Sequence, residues 1–331
     1  MSKVLITGGC GYVGSHVNKL LSEKGYQTVV VDNLVHGHKE FAKWGKFVEM
    51  DLCDRAGLDK LFAEQKFDAV LHFAGYIAVG ESVKDPASYY RNNVIASLNL
   101  LEAMRLGKVG AIIFSSTAAV YGEPVQIPLT EDHPLNPINP YGRNKLFIEQ
   151  ALADFSEAYG LRWTALRYFN AAGACPDSGI GEWHQPETHL IPLVLDAALG
   201  LRPSVLVYGF DYDTPDGTCI RDYIHVDDLA QAHLLALEYL DRGGDSDCFN
   251  LGNGKGFSVS EVIETAREVT GREIKVEMVG RREGDPPRLI ASSEKAKRVL
   301  KWGPKYQDLK NIIETAWDWH RDMNAGMGRQ K

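Results

Sequence analysis

In this 331-residue chain, Tyr141 and Lys145 are the pair whose types and spacing most directly suggest chemistry. They bracket Gly142-Arg143-Asn144. On a helix, four residues make about one turn, so the two side chains share a face roughly 6 Å apart along the axis. A free phenol titrates near pH 10, which makes it a poor base at neutral pH (pKa about 10). An ammonium group held nearby favours the phenolate, and a phenolate can act as a general base. The same spacing also describes any ordinary amphipathic pair. The assignment therefore depends on what the rest of the chain places beside it.

Val4-Leu5-Ile6-Thr7 reads as a buried strand. Gly8-Gly9-Cys10-Gly11-Tyr12-Val13-Gly14 follows, and then a helical pattern through Val17, Leu20 and Leu21. A strand, a glycine turn and a helix N-terminus together can receive a pyrophosphate. The next strand, Thr28-Val29-Val30-Val31, ends in Asp32. An acid there accepts hydrogen bonds from an adenosine ribose and repels a 2′-phosphate, which favours NAD over NADP.

Further strands end at Asp51-Leu52 and at Ala74-Gly75. Ala111-Ile112-Ile113-Phe114 runs into Ser115-Ser116-Thr117, three hydroxyls where doubly wound sheets bind ligands. After a proline-rich loop, Pro140 leads into Tyr141, as suits a helix start. Tyr141 and Lys145 then lie in the first turns of a helix near Thr117. A helix after Pro86 carries Tyr89, Tyr90, Val94, Leu98, Leu101 and Met104, with Asn92 and Asn93 near its start. A sixth strand, Trp163-Thr164-Ala165-Leu166, ends in Arg167-Tyr168-Phe169-Asn170.

This alternation predicts an α/β fold with a Rossmann-type, doubly wound parallel sheet over residues 1–170. Residues 171–331 read as a smaller mixed α/β substrate domain, with a segment near 222–252 packing back on the first. A helix is expected from His189 to Leu199 and a short strand from Val205 to Tyr208. Ser258-Val259-Ser260-Glu261 fits a capping box. Leu309, Ile312, Ala316 and Trp319 give a final helix its core face, and the chain from Asn324 onward is expected to be a loose tail.

Apolar residues make up 44% of the chain and charged residues 24%, normal for a protein with a sizeable core. A formal net charge of −8 without a basic block argues against nucleic acid. No apolar run approaches membrane-spanning length. The five cysteines are scattered, and neither Cys-x-x-Cys nor zinc-type His/Cys spacing occurs. The expectation is a cytoplasmic protein without a metal.

Ten segments in order resemble the extended short-chain dehydrogenase/reductase superfamily and, within it, the UDP-glucose (UDP-galactose) 4-epimerases. They are Thr7 to Gly14, Asp32-Asn33-Leu34, His72 to Gly75, Val79 to Ser82, Tyr89 to Val94, Ser115 to Gly122, Tyr141 to Lys145, Leu166 to Asn170, and the pair Arg221 to Val226 with Arg281 to Asp285. The resemblance implies Tyr141, Lys145 and Thr117 as catalytic residues. It implies NAD held by Gly8, Gly11, Tyr12, Val13, Gly14, Asp32, Asn33, Asp51, Leu52, Phe73, Ala74, Gly75, Asn92, Ser115, Tyr141, Lys145 and Tyr168. It implies a UDP-sugar contacted by Thr117, Tyr141, Asn170, His189, Leu190, Tyr208, Arg221, Arg282, Asp285 and Leu289, with the two arginines clamping the diphosphate. It also implies a homodimer packed through the helices around Tyr89 to Met104 and Lys145 to Phe155.

The implied reaction is oxidation at C4 of the sugar and return of the hydride to the opposite face. Thr117 stands where many such epimerases have Ser, Ile77 where some have Lys, and Leu289 where residue size tracks acceptance of N-acetylated sugars. The intermediate size of Leu289 favours UDP-glucose and UDP-galactose over UDP-N-acetylhexosamines, and UDP-pentoses stay open because a smaller sugar meets no steric objection. A 4,6-dehydratase would want an acid pair after Thr117, where Ala118 and Ala119 stand. A silent NAD-binding protein would not need Thr117, Tyr141 and Lys145 together.

Overall fold

The computed structural model describes residues 2–282 and 284–327; Met1, Glu283 and 328–331 lie outside the described residues. Seven parallel strands form the central sheet. Six come in chain order: β1 (Lys3–Thr7), β2 (Gln27–Asp32), β3 (Lys46–Glu49), β4 (Ala69–His72), β5 (Ala111–Thr117) and β6 (Arg162–Tyr168). The seventh, Asp247–Leu251, joins the edge beside β6, so the order is Asp247–Leu251, β6, β5, β4, β1, β2, β3. The order reverses between β1 and β4, which opens a crevice at their carboxyl ends where such sheets bind ligands.

Both faces of the sheet are covered, which explains why the strands read as apolar runs rather than alternating ones. On one face α1 (Tyr12–Glu23) packs with the Val226–Asp241 helix, burying Val17 and Leu21 against Leu229, Leu234 and Leu237. On the other face the helices Arg55–Glu64, Ala96–Gly107 and Pro140–Tyr159 bury Leu58, Leu100, Met104, Ile148 and Leu152. The chain thus leaves β6, builds part of a second region, and returns a helix and a strand to the first.

That second region has its own core. Helices Leu190–Ala198, Val259–Thr270 and Leu309–Met327 pack around Val194, Val262, Ile263 and Ile312. Ser258 accepts from the Glu261 backbone and Glu261 returns the bond, the expected capping box. The final helix runs through Met327, so residues 324–327 are helical rather than the loose tail expected. Residues 328–331 of that tail lie outside the described residues.

Two local structures position the future site. The Pro140–Tyr159 helix starts on Asn139, whose side chain accepts from Gly142 N at 2.9 Å. A Cβ on Gly142 would lie 2.5 Å from the Ala119 carbonyl, so only glycine lets this turn press against the end of β5. The helix after Pro86 is interrupted: Tyr90–Ile95 forms a π segment between Pro86–Tyr89 and Ala96–Gly107. Such wide turns cluster at functional sites. Here the segment carries Asn92 and Asn93.

Behind β5 lies a buried polar network. Glu149, one turn beyond Lys145, accepts from Ser116 Oγ at 2.5 Å and from Arg167 Nε at 3.0 Å and Nη2 at 2.6 Å. Arg167 also donates to Tyr121 Oη, which donates to Asn250. Removing one partner of so buried a pair strands the other charge, so the pair fixes the helix against β5 and β6.

Candidate active site

Thr117 ends β5, and its Oγ1 accepts from Ala119 N at 3.1 Å. Tyr141 and Lys145 face it from the first turns of the helix. The Tyr141 backbone N–H donates to Ser82 Oγ at 3.2 Å. Lys145 Nζ donates to the Ser115 carbonyl at 2.8 Å. It lies 4.8 Å from the Phe114 ring centroid and 5.9 Å from that of Tyr141. The three side chains of the proposed chemistry therefore meet at one point of the crevice.

The electrostatics correct one expectation. Burial pushes the Tyr141 phenol up to about 12, and the Thr117 hydroxyl only partly offsets this. Burial pushes the Lys145 ammonium down to about 8, with the Glu149 carboxylate opposing the shift. Lys145 does not by itself convert Tyr141 to a phenolate, because desolvation works against both charged forms.

Most of the residues expected to hold NAD stand at or just beyond the carboxyl ends of the sheet strands. Gly11 caps α1 without a side-chain bond, and no acid occupies the helix's first turn. Its N-terminus is therefore open to an anion. A Cβ on Gly14 would fall 2.3 Å from the Gly8 carbonyl, so the turn tolerates nothing larger there. The Tyr12 side chain is engaged elsewhere: its hydroxyl donates to the Gly173 carbonyl at 2.5 Å, leaving its backbone for the turn. Val13 packs against the core.

Asp32 receives Cys10 N at 3.0 Å on one oxygen and Leu34 N at 2.9 Å on the other. Each oxygen keeps a second lone pair for a ribose hydroxyl. Asn33 donates to Asp51 at 3.1 Å, and Leu52 is buried beneath. Phe73 leans on His233, with centroids 4.7 Å apart. Ala74 packs against the core, and Gly75 and Tyr76 lie over Asn93. Asn92 donates to Asn93 at 3.0 Å. Ser115 and Tyr168 share a hydrogen bond of 2.5 Å. This donor set fits a dinucleotide.

Beyond Tyr168 a cavity of about 260 Å³ opens, lined among others by Asn170, His189, Leu190, Tyr208, Arg221, Arg282 and Asp285. Asn170 is pinned by two bonds to the Asp222 carbonyl. Arg282 lies over the Tyr208 ring at 3.8 Å. Arg221 pairs with Asp285, and its Nη1 donates to the Ile220 carbonyl at 2.8 Å. Those two residues were expected to hold separate parts of a ligand; in this structure they hold each other. His189 sits between Glu182 and Glu187, which keep its imidazole protonated, pushed up to about 10 against the effect of burial. Leu289 is not in the cavity lining. It packs, as Phe169 does, against the cluster of Ala118, Val120, Tyr121 and Leu129 that follows Thr117.

Residues 4–252 match the family model described as the NAD dependent epimerase/dehydratase family. A UDP-glucose 4-epimerase of Rhizobium leguminosarum bv. trifolii is 56% identical over 97% of this chain and 98% of its own. The crystal structure of a UDP-glucose 4-epimerase from Brucella ovis in complex with NAD superposes with a TM-score of 0.94 at 51% identity, over 96% of this chain and 98% of that one. A third, from Stenotrophomonas maltophila with bound NAD and formylated UDP-arabinopyranose, gives 0.95 at 40% identity, over 98% and 100%. The chain belongs to the NAD dependent epimerase/dehydratase family.

Membership in this family supplies the cofactor, NAD. It leaves the His72 contacts to the structure. His72 bonds Thr7 at 2.6 Å and Ser97 at 2.8 Å, linking β1, β4 and the following helix. Burial and the nearby Lys145 charge push it down to about 3, so it stays neutral. A lone histidine at a strand end gave no sequence signal for this.

The geometry makes a prediction for the cofactor-free protein. Tyr141 should remain a neutral phenol throughout the range from about pH 6 to 9, because desolvation opposes its ionisation. Near-ultraviolet difference spectra of wild type against Tyr141→Phe check this. A phenolate band that belongs to Tyr141 and appears below about pH 9 would contradict it.

Proposed function

We propose that the protein interconverts UDP-galactose and UDP-glucose by reversible oxidation at C4 of the sugar. The observation that carries this reading is the meeting of Thr117, Tyr141 and Lys145 at the end of β5, between a dinucleotide cradle and an arginine-lined cavity. Bound NAD supplies a hydride acceptor that returns what it takes. Tyr141 removes the 4-hydroxyl proton and later gives it back. Thr117 bridges the sugar oxygen and the phenol.

Lys145 bonds the Ser115 carbonyl and so holds a positive charge close beneath Tyr141. With the phenol near 12 in the unliganded chain, the phenolate must gain its stability from the charges that assemble on ligand binding. Arg221 and Arg282 receive the diphosphate, and Asp285, released from Arg221, meets the uridine ribose. Asn170, His189, Leu190 and Tyr208 complete that end, and Leu289 bounds the sugar beside Thr117. An anchored nucleotide and a loosely held sugar let the ketone present its other face.

A second reading, with a UDP-pentose as substrate, draws support from the Stenotrophomonas relative, whose structure holds a formylated UDP-arabinopyranose. A smaller sugar meets no steric objection at Leu289.

We also infer a homodimer. Val83, Tyr90, Ile95 and Phe147 are apolar and exposed by 62%, 42%, 50% and 45%, on the helices around residues 79–107 and 140–159. Light scattering should give twice the 36.7 kDa chain mass, falling to one chain mass on Ile95→Glu; a monomeric wild type would refute the dimer. All five cysteines are free and no described helix is long and apolar enough to cross a membrane, in keeping with a cytoplasmic setting.

Tyr141→Phe should lower epimerisation by about 10²–10⁴-fold while NAD stays bound. A coupled assay of UDP-galactose conversion, with cofactor content measured on the same sample, checks both parts. Near-wild-type turnover by this variant would exclude Tyr141 as the base. Running the wild type on UDP-hexoses, UDP-N-acetylhexosamines and UDP-pentoses separates the two substrate readings.

A further inference from the structure

The segment that leads into the Leu190–Ala198 helix brings together four side chains of a kind that bind metals. Glu182, His184, Glu187 and His189 each offer one donor atom, and these four atoms lie within 4.8 Å of one another. His189 Nδ1 is 2.9 Å from Glu182 and 2.8 Å from Glu187. His184 Nδ1 is 3.4 Å from each of the same two carboxylates. A zinc ion bound at about 2.0–2.1 Å by tetrahedral N and O ligands sets ligand-to-ligand spacings of roughly 3.3 Å. The histidine-to-carboxylate spacings straddle that value, with Glu187 offering Oε1 to His189 and Oε2 to His184, and the set of one atom per residue closes to within 4.8 Å.

One donor is unsatisfied without an ion. His184 Nδ1 is buried and makes no hydrogen bond, although it faces both carboxylates. A buried polar atom in that position calls for a partner.

Further contacts hold the Glu187 side chain and the 182–183 backbone in place. Glu187 Oε1 accepts from the backbone N–H groups of Thr188 at 2.6 Å and His189 at 2.8 Å. The Glu182 carbonyl accepts from Trp319 Nε1 at 3.0 Å. Between them, Trp183 stacks on His38 with centroids 3.7 Å apart. Second contacts of this kind orient metal ligands before the metal arrives. Charge also balances, because two carboxylates and two neutral imidazoles around a divalent cation are as neutral as two carboxylates facing two imidazolium ions.

We propose that Glu182, His184, Glu187 and His189 form a binding site for one divalent transition-metal ion of the zinc class. Two nitrogen and two oxygen donors suit four-coordinate zinc or cobalt; calcium and magnesium require six or more oxygens or near-octahedral geometry. The site lies beside the nucleotide cavity, since Glu182 and His189 line it. It is structural rather than redox-active, and it ties the 182–189 segment to the start of the helix that walls the cavity. No bond of the epimerisation reaction depends on it.

Cobalt(II) is the probe, added to wild-type protein without nucleotide sugar, so the outcome is independent of the epimerase reading. Equilibrium dialysis should give one ion per chain, with the intense visible absorption of a tetrahedral N/O site. Glu187→Gln and His184→Ala, checked for native circular dichroism, should weaken binding by at least about tenfold. A weak octahedral spectrum, no stoichiometric uptake by wild type, or unchanged affinity in folded variants would overturn the proposal.

Discussion

The bond from Lys145 Nζ to the Ser115 carbonyl is the constraint on which the site depends. It ties the first turns of the Pro140–Tyr159 helix to the end of β5 and fixes where Tyr141 stands relative to Thr117. It also keeps an ammonium in a place that burial disfavours, between the Phe114 ring and the phenol. Glu149 offsets part of that cost from one turn away, and Arg167 and Ser116 hold Glu149 in position. Behind the reacting surface, then, lies a charged frame that cannot shift without exposing an unpaired charge to an apolar interior.

This arrangement leaves the unliganded site at rest. Desolvation raises the phenol to about 12, which keeps it neutral, and lowers the lysine only to about 8, which leaves it an ammonium at neutral pH. In the proposed reaction the charge distribution changes only when ligands fill the crevice and cavity. The other end follows a similar pattern. Arg221 and Asp285 neutralise one another across the cavity wall, and a diphosphate must compete for the guanidinium. Binding energy at the nucleotide end then organises the site, while the sugar remains free enough to turn.

The sheet was legible because its strands are buried on both faces and stop at ligand-facing ends: Val4 to Thr7, Val29 to Asp32 and Ala111 to Thr117 lie where the pattern placed them. The capping box at Ser258 was legible because it is local. The π segment was not, since its apolar spacing looks like that of an α-helix. Nor could the sequence reveal that Tyr12 bonds Gly173, that Arg221 pairs with Asp285, or that Lys145 chooses the Ser115 carbonyl. Those contacts join residues distant in the chain. The Glu182 to His189 cluster escaped because a search for His/Cys spacing does not register alternating Glu and His on an irregular segment. The last helix outran its expected end because the half-buried Asn324 donates back to the His320 carbonyl at 2.8 Å and carries the helix on.

The central claim is that hydride leaves and re-enters C4 within one active site. UDP-galactose carrying deuterium at C4 tests it most directly. Conversion to UDP-glucose in ordinary water should retain the label at C4, since the hydride never exchanges with solvent. Loss of the label to water during conversion would mean that C4 is deprotonated instead, and would contradict the account.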